Sequence, residues 1–282
     1  MSTSERLLAI RERYDKRAPT YDQETGFHPK QAAEYIEWMS IQPGDNILDL
    51  ACGTGAVTIP AAKVTGPSGS VIGVDISPAS LTIAREKASK ADLNVSFVEH
   101  NIENLDGLES HGIEDGKFNI ITCASAVALI EDPSEAVKVW ARLLKKGGKM
   151  IFDVPTGGTL IKFILLERAA KEIQVDVFRH RLYTAEVVQK LLTDAGLDSS
   201  ETFVTDSYES GTEELDVKKA GETFDEMFEA GKWTEDWYKE LAKPDQIDKL
   251  RDAFRNEIEK ICDKDGKVTS ELKLVMAVGK KL

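Results

Sequence analysis

The sequence predicts an α/β fold built on an open, mostly parallel sheet with helices on both faces. Three observations carry that expectation. Short apolar runs recur along the first half of the 282-residue chain: NILDL (Asn46–Leu50), VIGVD (Val71–Asp75), VSFVE (Val95–Glu99), FNIITC (Phe118–Cys123) and KMIFDV (Lys149–Val154). Strands covered on both faces read as such unbroken runs, not as alternating ones. The stretches between them are long enough for crossover helices, and two open on a cap followed by proline, Ser77-Pro78 and Asp132-Pro133, a strong helix-start signal.

In chain order, the first forty residues read as helical, with Tyr14, Tyr21, Tyr35, Ile36 and Trp38 as anchors, and Pro43-Gly44-Asp45 makes a turn. The first strand follows, then a glycine loop at Ala51–Gly55 and a helix from about Ala56. The Gly147-Gly148 pair reads as the end of the helix that Asp132 opens, because a helix commonly stops on a residue with positive φ. A further helix runs from Thr184 to Gly196, and strands near Thr202–Asp206 and Leu272–Gly279 complete a seven-stranded sheet. Between those two strands, roughly Glu213–Asp265 is an insertion with two amphipathic stripes. One is Trp233, Trp237 and Leu241; the other is Ile247, Leu250, Phe254, Ile258 and Ile261, at helical spacing. The expected organisation is a helical cap over 1–42, a core of 43–212 and 266–282, and a helical insertion over 213–265 serving as a lid.

Composition narrows the function. The chain is 41% hydrophobic with a net charge of -13. Nucleic-acid binders usually carry a basic stripe, but the densest basic stretch here is KKGGK, Lys145–Lys149. Nucleic acid and anionic membrane surfaces are therefore not expected partners. No apolar run approaches the ~18 residues of a membrane span, and the charged opening MSTSERLLAIRERYDKR has no apolar signal region; a cytoplasmic protein is expected. Cys52, Cys123 and Cys262 are odd in number and lack CxxC spacing. They read as reduced, mostly buried thiols, with neither a disulfide framework nor a metal site expected.

The chemistry concentrates in Asp49-Leu50-Ala51-Cys52-Gly53-Thr54-Gly55. Ligands of open parallel sheets bind beyond the carboxyl ends of the strands, and a glycine loop there allows close approach to the backbone. Gly53 and Gly55 match the first two glycines of the dinucleotide fingerprint GxGxxG, but the third position is Thr58. Asp49 at the strand end would repel a pyrophosphate. It suits S-adenosylmethionine (SAM), which carries a sulfonium and an ammonium against one carboxylate. Asp75, about twenty residues on at the end of the second strand, is spaced to accept both ribose hydroxyls of an adenosine.

These segments resemble those of class I SAM-dependent methyltransferases, in particular the ubiquinone/menaquinone-biosynthesis-like small-molecule group. The matching stretches are ILDLACGTG (Ile47–Gly55), VIGVDIS (Val71–Ser77), VEHNIENL (Val98–Leu105), FNIITCASAVALIEDP (Phe118–Pro133) and LLKKGGKMIFDVP (Leu143–Pro155), with RLYTAEVVQKLLTDAGL (Arg181–Leu197) beyond them. The resemblance implies a Rossmann-like methyltransferase fold with SAM as cofactor. It implies that Asp49, Ala51 and Gly53 meet the methionine part, Asp75 the ribose and Ile76 the adenine, with Gly55 and Ile102 also among the cofactor-binding residues. Asn101 stands where many members have an aspartate bonding the adenine amino group, a role an amide oxygen can fill. Cys123, Ala124 and Ser125 would lie beside the sulfonium, and Tyr14 and Tyr21 in the segment that folds over SAM. Ala51 replaces the first glycine of the family loop, at little expected cost.

The resemblance leaves the acceptor and the base open. Of four histidines, His28 and His180 are the candidate catalytic bases, since cap and post-fifth-strand segments face the acceptor in this family; His100 and His111 read as structural or exposed. Trp38, Phe163, Trp233, Trp237 and Tyr238 suggest an apolar acceptor pocket. The expected reaction is methylation of carbon or oxygen on a small, partly hydrophobic metabolite. Two alternatives stay open: a methyltransferase fold that uses SAM for cyclisation or elimination, and an NAD-dependent oxidoreductase. The oligomeric state is open as well.

Overall fold

The computed structural model describes residues 3–24, 28–174, 183–206, 208, 213–228 and 244–282. The chain divides into two compact units, Met1–Val154 with Thr184–Thr205 and Val275–Leu282, and Pro155–Tyr183 with Asp206–Leu274.

The first unit begins with three helices, α1 (Thr3–Arg17), α2 (Tyr21–Glu24) and α3 (His28–Met39), as the opening sequence predicts. Five strands follow, β1 (Asn46–Leu50), β2 (Ser70–Asp75), β3 (Val95–Glu99), β4 (Phe118–Cys123) and β5 (Leu144–Pro155), alternating with α4 (Thr58–Thr65), α5 (Pro78–Lys90) and α6 (Pro133–Leu143). Later come α8 (Ala185–Asp194), the two-residue strands β6 (Leu197–Asp198) and β7 (Phe203–Val204), and β10 (Leu274–Lys281). The sheet order is β3-β2-β1-β4-β5-β10-β6, with β7 also pairing β10. The neighbours from β3 to β5 are parallel, and β6 and β7 run antiparallel to β10. The expected α/β class holds; among the described residues the sheet has eight strands where seven are expected, because two short strands share the edge along β10. Ile47, Leu48, Leu50, Val74, Ile121, Phe152 and Val154 are fully buried, which is why their runs carry no polar alternation.

Caps act where the sequence places them. Ser77 Oγ accepts from Ser80 N, Asp132 from Ser134 N and Glu135 N, and Thr184 from Val187 N. The Gly147-Gly148 pair differs from expectation. Helix α6 already stops at Leu143, and Leu144 is extended. The glycines lie within β5, where the register against β4 shifts between Phe118 and Ile120. Gly147 has φ 76°, and a Cβ on Gly148 would lie 2.8 Å from Lys145 O and 2.9 Å from Phe118 O. The pair serves a strand irregularity with a close backbone approach, and the basic run around it belongs to a strand.

In the second unit, α7 (Ile161–Glu172), α9 (Ala220–Met227) and α10 (Pro244–Ile261) enclose a core of Leu165, Leu166, Ala169, Phe224, Leu250, Phe254 and Ile258. The insertion over 213–265 falls within this unit, which also takes in 155–183 because α7 packs along α10. It is not wholly helical: β8 (Glu213–Asp216) pairs antiparallel with β9 (Lys267–Ser270). The second stripe is buried through Leu250, Phe254 and Ile258, but Ile261 is 39% exposed, so the stripe ends one turn earlier than read. Trp233, Trp237, Tyr238 and Leu241 lie outside the described residues.

Candidate cofactor and active site

The carboxyl ends of β1 to β4 meet where the strand order reverses, between β1 and β4. Crossovers leave in opposite directions there and open a crevice. The loop after β1 turns back sharply, with φ 53° at Ala51, 53° at Gly53 and 87° at Gly55. A Cβ on Gly53 would meet nothing within 4 Å, so the space before it is open. On Gly55 it would lie 3.1 Å from Ile59 Cγ1 and 3.5 Å from Ala84 Cβ, so this glycine lets the loop pack on α4 and α5. Ala51 holds a side chain in the left-handed region, where an L-residue is strained by roughly 1–2 kcal/mol; its substitution for glycine is costlier than the sequence suggests.

A cavity opens over these strand ends. Ala51, Gly53, Asp75 and Ile76 line it from the first two strands, His100 to Glu103 from the loop after β3, and Ala124 to Ala126, Leu129 and Ile130 from the loop after β4. Leu7, Ile10, Tyr14 and Tyr21 line it from the N-terminal helices. A smaller cavity adjoins it, sharing Tyr21, Ala51, Gly53, Ala124 and Ser125 and adding His28, Gln31 and Asp49.

Carboxylates dominate the electrostatics. Asp49 is 2% exposed and accepts hydrogen bonds from the hydroxyls of Thr58 and Thr122. Burial pushes its pKa up to about 6 against those bonds. Asp75 accepts from Gly53 N and Ser77 N, each at 2.8 Å, and so ties the glycine loop to β2; burial raises its pKa too. Asp153, near the end of β5, is 2% exposed. It accepts from Tyr35 Oη at 2.5 Å and Ser125 N at 2.9 Å, and burial pushes it up to about 6. Such an anionic cluster lowers its own energy when a cation binds.

The residues fit SAM on their own chemistry. The open space at Gly53 admits a ligand against the backbone, the buried acids suit a sulfonium and an ammonium, and Ile76, Ile102, Leu129 and Ile130 offer apolar contact to a flat base. A family model described as a methyltransferase domain matches residues 41–243. The chain belongs to that family. Demethylmenaquinone methyltransferase of Listeria monocytogenes serotype 4a is 32% identical over 143 residues, covering 49% of this chain and 58% of that protein. The chain thus spans less than two thirds of the length of that relative. The ubiquinone/menaquinone biosynthesis C-methyltransferase UbiE of Pseudomonas paraeruginosa is 29% identical over 193 residues, 61% of this chain and 73% of that protein. Among solved structures, magnesium protoporphyrin IX methyltransferase from Synechocystis PCC 6803, with bound S-adenosylhomocysteine, superposes with TM-score 0.55 at 20% identity, covering 72% and 94% of the two chains. The YcgJ protein of Bacillus subtilis gives 0.55 at 18% identity, covering 89% and 98%. These two likenesses bear out the fold, and the family match bears out the resemblance read from the motifs.

Of the residues expected to meet the cofactor, Tyr14, Tyr21, Ala51, Gly53, Asp75, Ile76, Asn101, Ile102, Ala124 and Ser125 all line the larger cavity, and Asp49 the smaller. Gly55 and Cys123 line neither; Cys123 is buried and its carbonyl faces the Tyr35 hydroxyl at 3.4 Å. Asn101 uses its amide oxygen to accept from Glu103 N at 3.0 Å. His28 lines the smaller cavity, and His180 lies outside the described residues. Cys52 and Cys123 are buried as expected, whereas Cys262 is only half-buried because it follows the last turn of α10.

Sequence reasoning missed the residues that hold the N-terminal helices in place. Asp15 accepts from Ser77 Oγ at 2.7 Å and Ala79 N at 3.1 Å, so α1 supplies a second cap to α5. Asp22 accepts from Thr54 Oγ1 at 2.6 Å and Lys87 Nζ at 2.5 Å. Arg6 donates to Leu129 O at 2.8 Å and Glu103 Oε1 at 2.5 Å. Lone polar residues on amphipathic helices carry no signal of such partners. Asp153 did carry one: it is the only acid in the apolar run KMIFDV, as Asp49 is in NILDL.

Proposed function

We propose that the chain binds SAM across the two adjoining cavities and transfers its methyl group to carbon or oxygen of a small, partly hydrophobic acceptor. The observation that carries this reading is the glycine loop at the strand crossover, open at Gly53 and flanked by Asp49, Asp75 and Asp153. The names of the curated relatives, a demethylmenaquinone methyltransferase and a ubiquinone/menaquinone biosynthesis C-methyltransferase, favour carbon of a quinone-like ring as the acceptor.

SAM, when bound, supplies an already activated methyl group for in-line displacement. What the chain adds is orientation and exclusion of water; positioning of this kind contributes up to roughly 7–11 kcal/mol. Asp75 is proposed to hold the ribose and Asn101 the adenine edge, with Tyr14 and Tyr21 covering the ligand. His28 is the proposed proton acceptor: burial lowers its pKa, which leaves the ring neutral near pH 7. The net charge of -13 supports an acceptor that is neither nucleic acid nor a polyanion. We also propose a cytoplasmic location; among the described residues no helix is long and apolar enough to cross a membrane.

Calorimetric titration with SAM and, separately, NAD tests the reading, on the natural sequence and on Asp75→Asn. SAM binding weakened about tenfold or more by the substitution, with NAD silent, is expected. NAD binding without SAM binding would overturn it.

A further inference from the structure

We propose that Asp153 is a positioning residue, which grips the backbone of Ser125 and so holds the left-handed turn that forms a wall shared by the two cavities. The inference rests on the reading that these cavities take SAM. Ser125 has φ 55°, a conformation disfavoured for a residue with a Cβ by a factor of about 5 to 30. Strain of this kind persists only where the surroundings over-determine it. At Ser125 they do. Its backbone N–H donates to Asp153 Oδ1 at 2.9 Å, and its hydroxyl donates to Gln31 Oε1 at 3.0 Å. With Ala124, it lines both the larger and the smaller cavity.

The anchor is itself fixed. Phe152 of β5 pairs with Cys123 at the end of β4, so Asp153, the next residue, stands where the chain leaves the sheet towards Ser125. The Tyr35 hydroxyl, from α3, donates to the same Asp153 oxygen at 2.5 Å, and Cys123 O lies 3.4 Å from that hydroxyl. Tyr35 is fully buried and Asp153 is 2% exposed, so solvent has little access to compete for these bonds. A bond to a charged acceptor is also about twice as strong as a neutral one. Neither Tyr35 nor Asp153 lines either cavity. Their grip on a ligand therefore passes through the turn.

Without that grip, Ser125 relaxes to a common φ of about −63°, a rotation of about 120° around its N–Cα bond. The peptides on its two sides then swing relative to one another, and the common wall of the cavities moves with them. A glycine at this position needs no such grip, because glycine takes positive and negative φ about equally. The Cβ at residue 125 is thus what makes Asp153 necessary. This dependence separates an anchor of the turn from a general support of the core, whose loss would cost the same whatever stood at residue 125.

Calorimetric SAM titration of the full chain, run as a double-substitution cycle, tests the anchor. Asp153→Ala is expected to weaken SAM about tenfold when residue 125 is serine and only about twofold in the Ser125→Gly background. Asp153→Asn keeps an oxygen within reach of both donors and should hold binding to within about threefold of the natural chain. Tyr35→Phe, which takes a single oxygen from the core, repeats the cycle in a milder form, with a loss of about threefold beside serine and none beside glycine. It carries the test if Asp153→Ala does not fold. Backbone chemical shifts of Ser125 in the ligand-free protein read φ without SAM: left-handed values are expected in the natural chain and in Asp153→Asn, and their loss in Asp153→Ala. Equal losses of binding in the two backgrounds, a loss in Asp153→Asn as large as in Asp153→Ala, or left-handed shifts that survive Asp153→Ala would each overturn the anchoring role. Absence of SAM binding to the natural chain would instead sink the placement of the cofactor, and the Ser125 shifts would still decide for or against the anchor.

Discussion

Asp49→Asn should stabilise the ligand-free protein at pH 8 while weakening its hold on SAM. Asp49 is 2% exposed, and its pKa is raised to about 6 from 3.8, chiefly by burial. A carboxyl whose folded pKa is raised binds more protons folded than unfolded, so stability falls as pH climbs from about 4 to about 6. The rise of about two units corresponds to a penalty of about 3 kcal/mol once the pH is well above 6, and roughly half of that at pH 5. An asparagine has no charge to bury, although it exchanges one carboxylate oxygen for a donor between the hydroxyls of Thr58 and Thr122. That exchange costs the same at any pH. The difference between the two conditions therefore isolates the charge: the variant should gain about 1.4 kcal/mol more at pH 8 than at pH 5. Urea unfolding followed by tryptophan fluorescence, with Trp38 and Trp140 in the first unit, measures it. A gain equal at both pH values would refute the reasoning, since it would mean that Asp49 ionises in the fold as easily as in the open chain.

Three other substitutions follow from the geometry. Ala51→Gly removes a left-handed Cβ at φ 53°; strain relief of roughly 1–2 kcal/mol less the extra chain entropy of glycine leaves a gain of up to about 1 kcal/mol, to be read as a small rise in Tm. Gly73→Ala would set a Cβ 2.8 Å from Cys52 Sγ and 2.9 Å from Phe97 Cδ1, an overpacking worth about 1–3 kcal/mol that chemical denaturation should detect. Arg6→Ala removes the bonds to Leu129 O and Glu103. It should leave global stability within about 1 kcal/mol, yet weaken SAM several-fold in calorimetry and open α1 to limited proteolysis.

The central strands were legible because burial on both faces writes an unbroken apolar run, as in NILDL and VIGVD, and no other local arrangement explains it as well. The glycine loop was legible because a close ligand approach leaves residue types that packing alone does not select. The KKGGK run misled for a physical reason. A glycine at φ 76° ends a helix or kinks a strand with equal ease, and only the pairing partner, β4, decides between them. The two-residue edge strand Leu197–Asp198 is shorter than any periodicity can register, whereas the strand expected near Thr202–Asp206 is present at Phe203–Val204. Asp15, Asp22 and Arg6 act on partners 32 to 123 residues away, and nothing local marks such an engagement.

The docking of α1 and α2 has a practical consequence for where this fold begins. The family match starts at residue 41, yet Leu7, Ile10, Tyr14 and Tyr21 line the larger cavity, and Asp15 shares the cap of α5 with Ser77. An expression boundary set at residue 41 would leave that apolar wall bare to water and the first amides of α5 one acceptor short. The shortened protein would retain every family motif and still present an unfinished pocket, so a negative binding result from it would report on the cut and not on the cofactor.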